Sequence, residues 1–417
     1  MNYLQTYEIL KTLSIFFATA MLLKYFLFLL AAPLYRLKEK IKKIKYFDKA
    51  YEPLVSVIIP AWNEEVGILK TVQSVLSSTY KNIEVLIVND GSTDATDKVM
   101  KEYISGLKHK DYLLSEKINY LRKENGGKGT ALNHGIENSS GEIILTLDAD
   151  SAVENNTIQN LVEYYKDPSI NGVVGNVVVE GSLNMIGILQ RLEYLFGFYF
   201  KRAHAFLGAE YIFGGACASF RKSVFEEIGM FDTKNKTEDI EMSMRARAHG
   251  YKCTYAEDAI CYTEGASTLK GLISQRLRWK KGRFDTFIKY RKLFFSTSKQ
   301  HNKWMSWFVL PYALLSELHL LIEPIAISLL VGYSVITSDY LSLSLGILFM
   351  SLVYLVNALF SYKKLNLWLL ILFPFTWSWF YLLVMIEFIA LIQSIRMLYQ
   401  GEDIVWQKWQ RKGIQLT

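Results

Sequence analysis

Long apolar runs on either side of a polar middle constrain this chain more than any other feature. Thr12–Tyr35 is apolar over a length sufficient to cross a hydrocarbon core of roughly 30 Å, with Lys24 as its only charge. A cleaved signal peptide would carry a basic leading segment and a shorter apolar stretch, so a retained anchor helix is expected. Arg36, Lys38, Lys40, Lys42, Lys43, Lys45 and Lys49 follow at once, against only Glu39 and Asp48. The positive-inside rule places this flank in the cytoplasm.

Beyond Trp304 three more apolar runs read as spans: Trp307–Thr337, Leu341–Tyr362 and Leu367–Ile395. Glu317, His319 and Glu323 interrupt the first and Pro374 the last. Ionisable groups at that depth are costly unless they face protein or a water-filled passage. Two readings stand: the lining of a water-filled passage, or partners of a neighbouring helix near the interface. One span before the middle and three after it would leave the C-terminus outside. Lys408, Arg411 and Lys412 favour the cytoplasm instead, and a re-entrant segment around Pro374 would reconcile the two.

The middle, from about residue 51 to 300, has the composition of a soluble domain. With 51% hydrophobic residues over the whole chain, disorder is excluded. Three cysteines, Cys217, Cys253 and Cys261, make neither a CxxC pair nor a zinc spacing. They read as small residues of a reducing compartment. The net charge of +7 borders the apolar runs rather than forming a separate basic domain, so no nucleic-acid partner is expected. Val55–Ile59, Ile83–Val88, Glu142–Leu147 and Gly172–Val179 read as strands, with helices over roughly 64–77, 95–107 and 128–138. That alternation predicts an α/β fold with a parallel sheet covered on both faces. Ligands of such sheets sit beyond the carboxyl ends of the strands.

The residues found there are polar. Pro60-Ala61-Trp62-Asn63-Glu64-Glu65 follows the first strand and Asn89-Asp90-Gly91-Ser92-Thr93-Asp94 the second. Asp94 reads as a helix N-cap, whereas Asp90, at a strand's end in a glycine turn, can accept hydrogen bonds from a base or ribose. Leu147-Asp148-Ala149-Asp150 sets two carboxylates at a strand's end. Their mutual repulsion calls for a cation, and Mg²⁺ takes one or two carboxylates together with phosphate oxygens. Asn125-Gly126-Gly127-Lys128-Gly129 is neither a Walker A loop nor GxGxxG, but it puts a lysine and unhindered amides at a helix start. Gly214-Gly215-Ala216 marks either tight packing or close approach of a substrate. Thr237-Glu238-Asp239 precedes a helix and, alone, reads as a Thr cap with acids near the helix dipole. Gln275-Arg276-Leu277-Arg278-Trp279 opens a basic segment that suits an amphipathic helix on anionic lipid, with Gln275, Arg278 and Trp279 sharing another face.

The ordered set Asp90, Asp148-Ala149-Asp150, Thr237-Glu238-Asp239 and Gln275-x-x-Arg278-Trp279, with apolar spans on both sides, resembles the processive family 2 glycosyltransferases. Cellulose, hyaluronan and poly-N-acetylglucosamine synthases are of this kind, and chain size and helix distribution resemble the last branch most. The resemblance implies a GT-A type nucleotide-sugar-binding domain flanked by transmembrane helices. It divides the chain into an anchor with its basic flank (1–50), the GT-A domain (51–268), interface helices with the QxxRW motif (269–303), membrane helices (304–398) and a polar tail (399–417).

The same resemblance assigns donor-nucleotide contacts to Asp90, Lys128, Asp148 and Glu64, and the metal, Mg²⁺ or Mn²⁺, to Asp150. Asp239 becomes the base, with Glu238 beside it in the catalytic pair. Gln275, Arg278, Trp279, Gly214 and Gly215 line the diphosphate and acceptor. Implied partners are a UDP-sugar, UDP-GlcNAc first and UDP-glucose next, a growing polysaccharide or lipid-linked acceptor, the bilayer and an accessory synthase subunit. The implied setting is a multi-pass protein of the cytoplasmic membrane, its catalytic domain inside. Single-sugar transfer to a lipid carrier, and an inactive scaffold of a synthase complex, are the competing readings. Relatives carry two or more helices ahead of the domain where one is apparent here. The tail Trp406-Gln407-Lys408-Trp409 lacks the arginine-rich module that binds cyclic dinucleotides.

Overall fold

The computed structural model describes residues 3–45, 50–180, 184–359, 376–402 and 413. The expectations for Pro374 and for the basic tail lie outside these residues. In chain order the elements are α1 (Tyr3–Lys45), β1 (Val55–Ala61), α2 (Ile68–Leu76), β2 (Ile83–Asp90), α3 (Thr96–Lys110), α4 (Tyr112–Ser115), β3 (Ile118–Lys123), α5 (Lys128–Glu137), β4 (Ile143–Thr146), β5 (Ser151–Val153), α6 (Thr157–Tyr165), β6 (Ile170–Glu180) and α7 (Met185–Phe206). There follow β7 (Ala218–Arg221), α8 (Lys222–Ile228), α9 (Glu238–Ala248), β8 (Lys252–Glu264), α10 (Leu269–Lys289), α11 (Leu310–Thr337), α12 (Leu341–Leu359) and α13 (Thr376–Gln400).

The eight strands form one sheet in the order β3-β2-β1-β4-β7-β6-β8-β5. β1, β2, β3 and β4 are parallel, as expected. In the other half β6 and β8 also pair parallel, but β7 runs antiparallel between β4 and β6, and β5 antiparallel beside β8. The sheet is therefore mixed. The four-residue β7 is inserted against the grain beside β4, and the strands on either side of it share one direction.

Alternation within β1 and β2 explains why both read as unbroken apolar runs. Val57, Ile59, Val85 and Ile87 point to the layer of α2, α3 and α6, packing with Ile68, Val72, Met100 and Leu161. Ile58, Leu86 and Val88 point to the other layer, with Leu132 and Ile136 of α5, Phe225 of α8 and Met242 of α9. Strands buried on both faces have no polar period to show.

α1 is not a free anchor. Phe28 and Ala32 pack on Tyr199, Phe200 and Ala203 of α7, and Arg36 Nε donates to Glu257 Oε1 at 2.8 Å. Among the described residues two helices, Met305–Thr337 and Trp377–Gln400, are long and apolar enough to cross a membrane. The expected span Leu341–Tyr362 appears as the helix α12, ending at Leu359. The Gly413 amide donates to Glu264 Oε2 at 3.1 Å, so this tail residue touches the sheet domain.

Candidate active site

β2 ends in Asp90, which is buried. Both its oxygens accept from the glycine turn ahead of α5: Oδ1 from the Gly126 amide at 3.0 Å, Oδ2 from the Gly127 amide at 2.8 Å. Lys123 Nζ donates to Oδ1 at 2.7 Å, placed there because β3 pairs with β2 in the register Lys123 opposite Asp90. Gly127 sits at φ +90°, which a side chain would strain. The Asp90 carboxylate thus holds the turn that launches Lys128.

Lys128, at the first position of α5, reaches across the opening. Its Nζ lies 2.5 Å from Asp148 Oδ1 and 3.4 Å from Glu238 Oε1. Burial disfavours its charge, but Asp148, Glu238 and Asp239 outweigh that and hold the ammonium well above the ordinary lysine value. Burial pushes the Glu238 carboxyl up and Asp239 adds to this, while Lys128 and Arg278 oppose it. Asp239 Oδ2 accepts from the Gly215 amide at 2.8 Å and Oδ1 from the Ile240 amide at 2.8 Å. A Cβ at Gly215 would lie 2.6 Å from Lys128 Nζ, 3.5 Å from Asp239 Oδ2 and 3.6 Å from Asp148 Oδ1. One small volume therefore gathers residues from the turn after β4, from α5, from α9 and from the segment before β7. Gly214 instead faces open space.

Glycines set these approaches. Gly67, the N-cap of α2, brings that helix against the DxD turn, since a Cβ there would meet Ala149 O at 3.1 Å. Thr71 Oγ1 donates to the same carbonyl at 2.8 Å. Gly282 lets α10 lie on Thr237, whose Oγ1 would be 2.1 Å from a Cβ. Thr237 does occupy the N-cap of α9, but its side chain makes no capping bond, so the simple cap reading of this motif fails. Asp94 is also displaced from its expected role: the N-cap of α3 falls on Ala95, and Asp94 Oδ1 accepts from the Thr96 amide at 3.0 Å. Glu64 is buried in the β1–α2 turn, its amide donating to Thr96 Oγ1 at 2.8 Å; α2 starts only at Ile68, because residues 64–67 form that turn.

α10 carries Gln275, Arg278 and Trp279. Gln275 is buried, and its Oε1 has no hydrogen-bond partner among the described residues. Trp279 lies with its ring 6.5 Å from Tyr194 of α7 and 4.2 Å from the Arg276 guanidinium. Burial raises the Tyr194 hydroxyl, Arg276 opposes this, and Glu193, Asp148 and Asp150 add to it. The aromatic pair therefore borders the DxD turn. Tyr194, Lys123 and Gly67 carry no signal of their own in the sequence.

Behind Trp279 stands a buried ionic cluster. Arg276, 1% exposed, pairs with Glu193 of α7 and with Glu387 of α13, the latter at 3.2 Å. Lys280 lies 2.7 Å from Glu317 of α11 and 2.9 Å from Glu387, and Arg283 2.8 Å from Glu317. The basic segment is consumed internally here, not spread on a lipid surface. Glu317 faces α10, so it is a partner of a neighbouring helix rather than the lining of a water-filled passage. His319 Nδ1 lies 3.3 Å from Glu323.

Among the described residues no three His, Cys, Asp or Glu side chains are grouped closely enough to hold a cation by themselves. Asp148 and Asp150 nevertheless fit a hard divalent ion whose remaining ligands come from a substrate's phosphates.

The sequence matches two family models: "Glycosyl transferase family 2" over residues 56–229 and "Glycosyl transferase family group 2" over residues 143–399. It is 32% identical over 251 residues to the poly-beta-1,6-N-acetyl-D-glucosamine synthase of Staphylococcus aureus (strain COL), covering 59% of this chain and 57% of that protein. This chain thus spans little more than half the length of that relative. The synthase of the same description from Staphylococcus epidermidis is 29% identical over 303 residues, covering 71% and 70%. A mannosyltransferase from Pyrobaculum calidifontis, solved in complex with GDP-Man and Mn²⁺, superposes with a TM-score of 0.57 at 21% identity, over 93% of this chain and 99% of the other. The α/β domain is accordingly of the GT-A kind, with a mixed sheet.

Proposed function

Because the chain belongs to the family 2 group of glycosyltransferases, we propose that its acidic site transfers a sugar from a UDP-sugar to the hydroxyl of a growing β-linked polysaccharide. UDP-GlcNAc is the first candidate donor, on the likeness to the staphylococcal synthases. One observation carries the reading: Asp148 and Asp239, far apart in sequence, face the same point beside Gly215.

The acceptor oxygen attacks the anomeric carbon, the bond from that carbon to the diphosphate breaks, and the acceptor proton passes to the Asp239 carboxylate. Configuration inverts in a single displacement. A positioned base contributes roughly 10²–10⁴-fold, and the amides of Gly215 and Ile240 fix this one in place. Asp150, with Asp148, would hold a Mg²⁺ or Mn²⁺ ion, which when bound neutralises charge on the diphosphate. Arg278 supplies a fixed positive charge near the leaving group. Trp279 and Tyr194 offer flat faces to the acceptor sugar, and Asp90 with Lys123 orders the turn at the nucleotide. The long apolar helices support a membrane setting in which the polymer leaves beside the site, with the domain on the cytoplasmic face.

Membranes carrying the chain, given each UDP-sugar with and without Mg²⁺ or Mn²⁺, test this by UDP formed and by gel sizing of labelled product. UDP release with a ladder of sizes is expected, lost in Asp239→Asn. A single lipid-soluble product would replace polymerisation with one-step transfer to a lipid carrier. No UDP from any donor would leave a scaffold.

A further inference from the structure

A second site lies at the other end of α9, away from Glu238 and Asp239. A cavity of about 380 Å³ is walled by Lys38 and Lys42 of α1, Arg247 of α9, Lys252 of β8, and Lys299 and His301 of the segment before α11. No Asp or Glu lines it. A water occupies about 30 Å³ of liquid, so there is room for a phosphate group with its own hydration.

The cations have unequal duties. Arg247 is spent on the wall, donating to Tyr251 O at 2.8 Å and Gly208 O at 2.6 Å, and His301 Nε2 lies 3.1 Å from Ala248 O. Lys42 lies 3.1 Å from Glu39. Lys38 donates to Phe206 O at 2.6 Å, and burial together with the charge of Lys42 lowers its ammonium, with Glu39 opposing. Asp167, outside the lining, offers partial relief: burial would raise it, but Ser169, Lys42 and Lys252 hold it below the ordinary value. Lys252 and Lys299 are exposed, and among the described residues neither Nζ has a hydrogen-bond or ion-pair partner. An anion in this space would meet two uncommitted ammonium groups and relieve crowding at a third.

Position indicates the source. The cavity lies just after the apolar part of α1 and just before the apolar helix that starts at Met305. Leu34 and Leu37, just ahead of the lining Lys38 in α1, are exposed, as are Trp304 and Trp307, just after the lining Asn302; tryptophan is enriched at headgroup level. We propose that this cavity binds one phosphate group, supplied by the headgroup of an anionic membrane lipid. The site is independent of the sugar-transfer reading.

The test uses the full chain purified in detergent. Phosphatidylglycerol, phosphatidylcholine and inorganic phosphate are added in turn, and bound lipid is counted by native mass spectrometry alongside the thermal unfolding transition. Phosphatidylglycerol should bind and stabilise the wild type. The double variant K252E/K299E should bind it about tenfold more weakly or less, with phosphatidylcholine unchanged. The control K108E/K110E, on exposed positions of α3, should behave as wild type. Stabilisation of the wild type alone by inorganic phosphate, without retained phosphatidylglycerol, would keep the phosphate site and change its source. Equal phosphatidylglycerol binding by wild type and K252E/K299E, or an equal loss in K108E/K110E, would overturn the proposal. Should K252E/K299E show no unfolding transition, the neutral pair K252Q/K299Q carries the same comparison.

Discussion

The Gly215 amide donates to Asp239 Oδ2 at 2.8 Å, and the space where a Gly215 side chain would stand is filled by the Lys128 ammonium. A single glycine thus holds the carboxylate proposed as base and admits the cation that crosses between Asp148 and Glu238.

Gly215→Ala follows directly. Gly215 is not among the positive-φ glycines, so alanine suits the backbone. The methyl would stand 2.6 Å from Lys128 Nζ, and a lysine tip is free to move. The expected outcome is a folded protein, its unfolding transition within a few degrees of wild type, with sugar transfer reduced by about tenfold to a hundredfold because Lys128 leaves Asp148. Transfer at the wild-type rate would show that the Lys128–Asp148 contact is dispensable.

Asp90→Ala should act differently. It strips the Gly126 and Gly127 amides and Lys123 of their acceptor, loosening the turn rather than touching the reacting carbon. The KM for the donor should rise about tenfold with kcat little changed, the pattern of lost ground-state binding. A fall in kcat at unchanged KM would move Asp90 into the chemistry.

Glu193 makes stability depend on pH. Burial pushes its carboxyl up to about 7, with Arg276 opposing and Glu387 adding to the rise. An unfolded glutamate titrates near 4.5. Between these values the folded chain binds more protons than the unfolded one, so the contribution is full below pH 4.5 and lost as pH rises through 7. Glu193→Gln cannot titrate, and melting curves in detergent from about pH 5 to about pH 8 should fall less steeply for it than for wild type. Parallel curves would contradict the assignment.

Glu317→Ala removes a partner shared by Lys280 and Arg283. Deleting one side of a buried pair costs about 3–5 kcal/mol, a loss readable as a lowered unfolding temperature in detergent. Glu317→Asp, which keeps the charge, should recover part of it. A loss below about 1 kcal/mol would indicate that water reaches the cluster.

What the sequence made legible follows from burial. β1, β2, β4 and β6 announce themselves because both faces are covered and the apolar run is unbroken. β3 is hidden by Asn119, Arg122 and Lys123, half-exposed on an edge strand. β8 is hidden by Glu257 and Asp258 in its middle, where the register with β6 shifts. The Glu257 charge is spent on Arg36 and Arg202, contacts no local pattern can announce. In the candidate site, Asp90, Lys128 and Asp148 stand out as strand-end or helix-start residues, whereas Asp239 alone reads as an acid near a helix dipole and takes its role from the resemblance. Tyr194 and the cluster behind Trp279 were not, because Arg276 meets partners on α7 and α13 that only the tertiary fold brings to it.

That cluster also limits how the chain can be cut. A fragment ending before α11 would keep Arg276, Lys280 and Arg283 yet lack Glu317 and Glu387, stranding positive charge on a surface shaped to be covered. Shortened forms made for crystallisation should therefore be less stable unless those two carboxylates travel with them.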